Sequence, residues 1–448
     1  MEQYTYRDLF ADHVAEIQTR WELALEAESF MAALVHSGTP MYSFLDDYQY
    51  AFRANPHFLA WAPLTHHPDS VLLIVPGQKP VLFYYQPDDY WHLPPSDPES
   101  YWADHIETEV VRTPGAWLEC LKAHLPDADI ELGDVAAIGD SPALAEIFKS
   151  EWLNPPKLVE RLHIARTRKT PYEIACIEAS ARLAAHAHVE AERAFREGKS
   201  EFDINLRYLA ACGHNDARLP YGNIVALNSH GSVLHYQAQE QKAPAESRSF
   251  LIDAGCTVNA YASDITRTYA RDAGEFSDLV AAMDDVQQGL CAQVRAGLDY
   301  KDLHLTAHHD IAELLVTFGI INTNAIEAVN TGLSSVFYPH GLGHFLGLQT
   351  HDVAGLIDND GDEIPRPDGH PFLRLTRVLE AGNVLTIEPG LYFIEPLLRG
   401  WRENSDAALI NWETVERLAP YGGVRIEDNI VVTEDGGDNL TRRAFSEL

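Results

Sequence analysis

Apolar, β-rich runs in the second half of the chain repeatedly end on a carboxylate. Asp253 follows the run FLI, Glu388 follows VLTI, and Glu427 follows GGVRI. Taken singly, each glutamate is typical of the solvated end of a strand. Taken together, these carboxylates constrain the fold strongly, because carboxylates that meet in a buried site repel one another unless a proton or a cation lies between them.

The stretch SFLIDAGCTVNAYASDITRTY (249–269) predicts two β segments joined by a tight turn. A turn centred on Val258 and Asn259 would set Asp253 opposite Asp264 in an antiparallel pair, with Cβ atoms roughly 5 Å apart. Two carboxylates at that distance again require a proton or a cation. An exposed turn position is the alternative for Asp264. An exposed turn position is less compatible with Asp253, because Asp253 directly follows an apolar run.

Three histidines, His340, His344 and His351, lie close together in the segment VFYPHGLGHFLGLQTHD (336–352). One buried histidine can be a satisfied core residue, but three at this spacing predict a common partner. The candidate donor set then contains at least one histidine and four carboxylates, namely Asp253, Asp264, Glu388 and Glu427. A set with many oxygens, an imidazole and no thiolate suits a pair of Mn²⁺, Co²⁺ or Zn²⁺ ions and fits a lone structural zinc poorly.

Length, charge and cysteine content limit the class of protein. A chain of 448 residues is too long for one ordinary core, so two domains are expected. The formal net charge of −34 argues against nucleic acid and membrane as main partners, because both are anionic. We expect no signal peptide and no membrane-spanning run. The five scattered cysteines disfavour disulfides and thiolate zinc, so the cytoplasm is the expected compartment.

A break at NPPK (154–157) predicts a boundary between domains 1–157 and 158–448. The first domain alternates helical and strand signals, among them SVLLIVP, PVLFYYQ and VAAIGD, and is predicted to be α/β. The sequence TPYE (170–173) is a capping box that opens a long helix ending near Gly198, and Ser200 begins another helix. Later β runs, interrupted by helices around 275–318, predict an α+β second domain with mixed or antiparallel strands.

The ordered series D-A-G, S-D-I-T-R-T, H-G-L-G-H-x-x-G-L-x-x-H-D, I-E-P-G and R-I-E-D resembles the pita-bread metallopeptidases, and among them the bacterial prolidases. The segments FLDD (44–47) and DYWH (89–92) resemble prolidases that are also called organophosphorus acid anhydrolases. The resemblance implies an α/β creatinase/prolidase-like domain over 1–157 and an α+β pita-bread catalytic domain over 158–448. It also implies a homodimer.

The same resemblance implies two divalent ions per subunit and five ligands for them. Asp264 and Glu427 would bridge the ions, His344 would be the imidazole ligand, and Asp253 and Glu388 would complete the set. Mn²⁺ is the expected metal, and Co²⁺ and Zn²⁺ are alternatives that share this donor set.

The resemblance further implies two catalytic residues, His351 beside the tetrahedral intermediate and Glu388 as the proton shuttle. Arg425 would hold the carboxylates in place. The implied substrate-binding residues are His235, His340 and Arg374, and Asp47 lies in the first-domain segment that carries the resemblance. Tyr221 and Tyr300 are further candidates for lining the substrate pocket. A guanidinium such as that of Arg374 suits a substrate carboxylate. Arg374 and Arg377 are also typical surface charges, His235 could be an ordinary strand histidine, and tyrosines more often belong to the core.

The activity implied by the resemblance is hydrolysis of Xaa-Pro dipeptides by a hydroxide that bridges the two metals. Organophosphate triesters are an expected side substrate, because such a hydroxide can also attack phosphorus. An aminopeptidase P that acts on longer peptides is the alternative, since the same ligands serve both enzymes. A non-catalytic binding module is disfavoured, because all five ligand positions hold ligand residues.

Overall fold

A computed structural model describes residues 2–125, 131–403 and 405–448. The chain divides into two compact units. The first unit comprises Met1–Arg166 and Thr170–Cys176, and the second comprises Thr167–Lys169 and Ile177–Leu448. Among the described residues, no helix is both long and apolar enough to cross a membrane. All five cysteines are free.

The first unit is built on a mixed five-stranded sheet in the order β4-β3-β2-β1-β5. The β3–β4 and β1–β5 pairs are parallel and the other two pairs are antiparallel. The runs SVLLIVP, PVLFYYQ and VAAIGD form β2, β3 and β5, which confirms the α/β prediction for this part. The elements are α1 Glu2–Ala27, β1 Ala32–His36, α2 Pro56–Leu59, β2 Val71–Ile74, β3 Val81–Tyr85, β4 Glu107–Val111, α3 Trp117–His124, β5 Val135–Ile138, α4 Pro142–Ile147 and α5 Pro156–Ala165.

Nine further α-helices follow in the described part of the chain. The first begins as predicted, because the Glu173 carboxylate accepts from the Thr170 amide (2.8 Å) and Thr170 Oγ1 accepts from the Glu173 amide (3.4 Å). The helices are α6 Pro171–Arg196, α7 Glu201–Cys212, α8 Glu275–Cys291, α9 Tyr300–Thr317, α10 Ala325–Asn330, α11 Ser334–Phe337, α12 Glu395–Arg402, α13 Trp412–Leu418 and α14 Leu440–Ser446.

The strands of the second unit pair only in antiparallel fashion among the described residues. Two three-stranded sheets have the orders β10-β7-β6 and β11-β14-β15, and two-stranded pairs join β12 to β13 and β8 to β9. The strands are β6 Ile224–Leu227, β7 Ser249–Asp253, β8 Thr257–Val258, β9 Tyr261–Ala262, β10 Thr266–Ala270, β11 Val384–Ile387, β12 Gly390–Tyr392, β13 Gly423–Arg425, β14 Asp428–Val432 and β15 Gly437–Asn439.

The hairpin predicted over 249–269 exists, but its predicted register is wrong. The two turn residues are Asn259 and Ala260, both with positive φ (50° and 74°), rather than Val258 and Asn259. Asparagine tolerates the left-handed conformation, whereas β-branched Val258 does not, and Val258 instead extends the strand. Asp253 consequently lies opposite Thr266 and not opposite Asp264.

An extended segment, 342–346, runs beside β11 and is tied to it by backbone hydrogen bonds. The Thr386 amide donates to the His344 carbonyl (2.9 Å), and the Glu388 amide donates to the Leu342 carbonyl (2.8 Å). Gly343 permits this approach, because a Cβ atom there would lie 2.1 Å from the Thr386 carbonyl oxygen. The segment therefore holds His344 next to the end of β11, and Glu388 is the residue that directly follows this strand.

A buried ion pair stabilises the loop that carries His351. Lys169 Nζ lies 2.8 Å from Asp352 Oδ2, and the two side chains are 1% and 2% exposed. Because both charges are out of water, the attraction between them offsets part of the cost of burying each.

Replacing Lys169 by Met should lower the free energy of unfolding of the second unit by about 3–5 kcal/mol, because it leaves the Asp352 carboxylate buried without the ammonium. Urea unfolding followed by circular dichroism would measure the loss. Lys242→Met, at an exposed lysine of the same unit, is the matched control and should change stability by less than about 1 kcal/mol. Equal effects of the two substitutions would contradict the prediction.

Candidate metal centre

Three predicted ligands, Asp264, His344 and Glu427, form a buried cluster whose donor atoms all lie within 4.8 Å of one another. His344 Nε2 is 3.4 Å from Asp264 Oδ2. His344 Nδ1 donates to the Phe345 carbonyl at 2.9 Å. That hydrogen bond orients the ring so that Nε2 faces the carboxylates, as in histidines that bind metal ions.

Glu388 and Asp253 adjoin this cluster. Glu388 Oε1 lies 3.8 Å from His344 Nε2. Asp253, the last residue of β7, accepts a hydrogen bond from Arg425 through Oδ2 (2.7 Å). Its Oδ1 atom is buried and accepts no hydrogen bond from a described residue. The cluster and these two residues are called the five-residue centre below.

The strand ends that carry these residues are joined across the two sheets. Thr266 and Glu427 form an isolated antiparallel bridge, in which the Glu427 amide donates to the Thr266 carbonyl at 3.1 Å. Thr266 Oγ1 also donates to Glu427 Oε2 at 2.8 Å. Asn429 accepts from the Asp264 amide through Oδ1 (3.1 Å) and donates to the Asp264 carbonyl. These hydrogen bonds within the protein therefore hold Asp264 and Glu427 in position without the help of a bound cation.

Arg425 is the permanent positive charge beside the five-residue centre. Its guanidinium donates to Asp253 (2.7 Å), to the Tyr392 hydroxyl (2.9 Å) and to Thr266 Oγ1 (3.2 Å). Tyr392 in turn lies 2.8 Å from His340 Nε2. Because His340 Nδ1 lies 2.8 Å from the Gly341 carbonyl and donates to it, Nε2 accepts the Tyr392 hydroxyl proton. Arg425 thus orients both a carboxylate and, through Tyr392, a histidine.

Burial dominates the ionisation of the carboxylates. It raises the pKa of Glu388 to about 7, raises that of Glu427 well above its ordinary value, and raises that of Asp253 despite the Arg425 charge. Burial also acts to raise the pKa of Asp264, but the hydrogen bond and charge of His344 outweigh it and lower that pKa. Burial acts to lower the pKa of His344, and the hydrogen bond and charge of Asp264 raise it.

This arrangement fits divalent cations. It combines four carboxylates with one correctly oriented imidazole and no thiolate, which are the donors that Mn²⁺, Co²⁺ and Zn²⁺ accept. The unpaired Oδ1 of Asp253 and the opposed carboxylates with raised pKa values are electrostatically incomplete without a positive charge.

The other two histidines of the segment flank the centre. His351 is exposed, and its ring centroid lies 4.4 Å from that of His344. Although His351 keeps contact with solvent, the surrounding protein partly desolvates its ring, and this desolvation and the His344 charge lower its pKa to about 4. Burial and the Arg425 charge lower the pKa of His340 to about 3. Both rings are therefore neutral at neutral pH. His351 can donate or accept a hydrogen bond toward a bound molecule, whereas both ring nitrogens of His340 are already hydrogen-bonded, to Gly341 and Tyr392.

Arg374 and His235 lie on the exposed side of the centre. The charges of both lower the pKa of His351, which indicates that they are its neighbours. Arg374 is exposed, and its guanidinium makes no hydrogen bond or ion pair with a described residue. Arg377 is not the surface charge that the sequence allowed, because it is buried and donates to the Ile357 carbonyl and to Asn359. Arg374 is consequently the arginine that is available to a ligand.

The two tyrosines differ in position. The Tyr221 hydroxyl donates to Asp264 Oδ1, so it contacts the five-residue centre directly. Tyr300 is fully buried and donates to the Thr386 carbonyl at 2.9 Å, behind the segment that carries His344. This burial argues against a substrate contact for Tyr300. Asp47 lies in the first unit, on an exposed loop.

Sequence reasoning missed several residues that hold the centre together, namely Thr266, Tyr392, Asn429 and the pair Lys169–Asp352. Thr266 lies inside the quoted S-D-I-T-R-T motif, so its position was a usable signal. Tyr392 and Asn429 act through contacts between segments that are distant in sequence, and no local pattern indicates them.

Two family models match the chain. The model described as Metallopeptidase family M24 matches residues 175–434, and the model described as Xaa-Pro dipeptidase, N-terminal domain, matches residues 8–164. The chain belongs to metallopeptidase family M24. The region matched by the M24 model contains every residue of the five-residue centre.

Relatives match this M24 chain along its whole length. A protein of Xanthomonas campestris named Xaa-Pro dipeptidase is 47% identical over 448 residues, which is 100% of both chains. A protein of the same name from Stenotrophomonas maltophilia is 46% identical over 440 residues, or 98% of this chain and 97% of the relative. The resemblance to pita-bread metallopeptidases and to their prolidase branch is thereby confirmed.

Solved structures confirm the fold class. Zn-substituted Escherichia coli aminopeptidase P in complex with product has a TM-score of 0.71 and 22% identity, with 98% of this chain and 95% of that chain covered. Pseudomonas aeruginosa aminopeptidase PepP has a TM-score of 0.71 and 21% identity, with 98% of each chain covered. At these identities the similarity shows the pita-bread fold and nothing further about activity.

The stability of metal-stripped protein should depend on pH through Glu388. Its pKa is raised from about 4.5 to about 7, so the folded state binds the proton more tightly, and Glu388 contributes stability that is lost as pH rises through that interval. The loss is about 3 kcal/mol at most. Thermal unfolding at several pH values would measure it. Glu388→Gln should remove this contribution; an unchanged pH dependence in that variant would contradict the assignment.

Proposed function

We propose that this M24 chain hydrolyses Xaa-Pro dipeptides at the bond before a C-terminal proline, with two divalent ions, Mn²⁺ first among them, bound by the five-residue centre. The observation that carries the proposal is the convergence of Asp264, His344 and Glu427 in one buried cluster. The full-length similarity to proteins named Xaa-Pro dipeptidase supports the choice of substrate.

The chemistry that two bound divalent ions supply is a water of lowered pKa and a polarised scissile carbonyl. Glu388 would be suited to carrying a proton from that water to the leaving imino nitrogen, because its carboxylate adjoins the cluster that would hold the ions, 3.8 Å from His344 Nε2. Neutral His351, exposed beside His344, can donate a hydrogen bond to the oxygen on which negative charge develops.

Recognition of the free carboxylate of the substrate is assigned to Arg374. Its guanidinium is exposed near His351 and has no ion-pair partner among the described residues, so it is available for a bidentate contact with a carboxylate. His235 and His340 would then contact the prolyl residue, with His340 held by Tyr392. Tyr221 would act through Asp264, to which it donates. Asp47, on its exposed loop, stays a predicted substrate contact.

The alternative is an aminopeptidase P that removes a residue from longer peptides. The solved structures of that activity share the fold at 21–22% identity, whereas full-length relatives at 46–47% are named dipeptidases. The dipeptidase is therefore favoured. Activity on organophosphate triesters, a homodimer and a cytoplasmic location stay predictions from the sequence.

Metal-stripped protein should not cleave Ala-Pro, and added Mn²⁺ should restore cleavage, with Ala-Pro-Ala left intact. Asp264→Asn should abolish the restored activity, a fall of about 10³-fold or more, because the carboxylate that joins the donors is lost. Amino-acid release measured by chromatography reports both. Asp302→Asn, at an exposed position of α9, is the matched control.

The outcomes separate the alternatives. Cleavage of Ala-Pro-Ala would favour an aminopeptidase P. Full activity of Asp264→Asn would contradict the proposed centre. The circular dichroism spectrum of the variant establishes that it has folded.

Arg374→Met should raise KM for Ala-Pro about 10- to 100-fold, because a charge-assisted contact with the substrate carboxylate is lost. The prolyl amide Ala-Pro-NH₂, which has no such carboxylate, should be a poor substrate for both proteins and equally poor for each. Steady-state kinetics with the two substrates tests this. If the substitution lowers kcat/KM for both substrates by the same factor, Arg374 does not bind the carboxylate.

A further inference from the structure

A second group of side chains with metal-binding geometry lies outside the five-residue centre. His304, His308 and His370 each offer a ring nitrogen, and these three atoms lie within 4.8 Å of one another. We call these residues the tri-histidine cluster. His304 Nε2 and His370 Nδ1 are 2.9 Å apart, and the rings of His308 and His370 have centroids 4.4 Å apart.

Helix α9 presents two of the three histidines on one buried face. His304 and His308 are four residues apart, so they lie above one another on the same side of the helix. Both are 1% exposed, whereas His370, from the segment before Arg374, is half-buried. The cluster therefore reaches solvent on the side of His370, which gives an ion a route of entry.

Several polar atoms of the cluster have no partner. His304 Nδ1 and His308 Nε2 are buried and make no hydrogen bond with a described residue. The hydroxyl of Tyr338, whose ring lies 4.7 Å from that of His308, is also buried without a partner. Buried polar groups are normally satisfied, and the unpaired atom that a metal ion between the rings would satisfy is His308 Nε2, because His308 Nδ1 already lies 3.1 Å from Ser334 Oγ.

The rings are in the protonation state that metal ions require. Burial first, and the charges of neighbouring histidines second, lower the pKa of His304 to about 2 and that of His308 to about 3. Burial also lowers the pKa of His370. Neutral imidazole, and not imidazolium, is the ligand form, so at neutral pH no proton has to be displaced before an ion binds.

We propose that the tri-histidine cluster is a third metal site, which binds Zn²⁺ through three imidazoles. Zn²⁺ is commonly bound by three histidines with a fourth position left for water, at Zn–N distances of about 2.0–2.1 Å. Ligand nitrogens at that distance in a tetrahedron are about 3.3 Å apart. The 2.9 Å pair of His304 and His370 needs a separation of only a few tenths of an ångström to reach this.

Binding changes a tautomer and releases no proton. In the metal-free cluster, one proton lies between His304 Nε2 and His370 Nδ1. When both atoms bind Zn²⁺, each ring carries its single proton on its other nitrogen. For His304 that atom is Nδ1, which makes no hydrogen bond with a described residue in the metal-free structure.

The site can be observed in wild-type protein by X-ray absorption at the zinc edge. Full-length protein is loaded with Mn²⁺, its Mn²⁺ content is measured, and one equivalent of Zn²⁺ is added. The expected spectrum has three imidazole nitrogens at about 2.0 Å. A spectrum dominated by oxygen ligands would mean that zinc entered the five-residue centre and would overturn the proposal. A low Mn²⁺ content would instead count against the proposed function, because it reports on the five-residue centre. The ligands of zinc are read from the zinc spectrum, so the two results can be told apart.

A pair of variants on the same structural background completes the test. His370→Asn removes the half-buried ligand, and His309→Asn removes the adjacent exposed histidine of α9, which faces away from the cluster. Zinc content after dialysis, measured by mass spectrometry, should fall by one ion per chain in His370→Asn and stay unchanged in His309→Asn. Circular dichroism checks folding. Equal zinc content in folded His370→Asn and His309→Asn would overturn the proposal.

Discussion

The mutual repulsion of buried carboxylates is the constraint on which the second unit depends. Asp253, Asp264, Glu388 and Glu427 converge, and Arg425 places a permanent positive charge beside them. Burial raises the pKa of three of the four, so the fold without ions tends to keep protons there. Divalent cations offset the repulsion better than protons do, because one cation can neutralise more than one carboxylate while each carboxylate stays ionised.

The antiparallel architecture holds these groups together at positions that side chains alone could not maintain. The centre draws on β7, the residue pair before β10, the end of β11 and the junction of β13 and β14. The Thr266–Glu427 bridge and the segment beside β11 tie these strands with backbone hydrogen bonds. Since backbone positions move little, the donors are preorganised, and the ions do not have to gather them against the entropy of free side chains.

The sequence predicted the elements well, because their signals are local. The capping box at Thr170 and the apolar runs of β7, β11 and β14 depend only on neighbouring residues. The predicted register of the 249–269 hairpin was wrong. The position of the turn depends on which residues tolerate positive φ, and moving the turn by one residue changes every cross-strand pair. Tyr392 and Asn429 were not predicted, because they reach the centre through tertiary contacts and no local sequence pattern indicates such contacts.

The two clusters of the second unit differ in the chemistry of their donors, and this difference bears on which ion each would retain. Four carboxylates with one imidazole accept a hard ion such as Mn²⁺, while three neutral imidazoles in a buried site offer it little charge compensation. Zn²⁺ binds imidazole more tightly than Mn²⁺ does, so the tri-histidine cluster would take zinc at concentrations where the five-residue centre holds manganese. The Tyr338 ring contacts both His308 of this cluster and His340, which lies beside the five-residue centre.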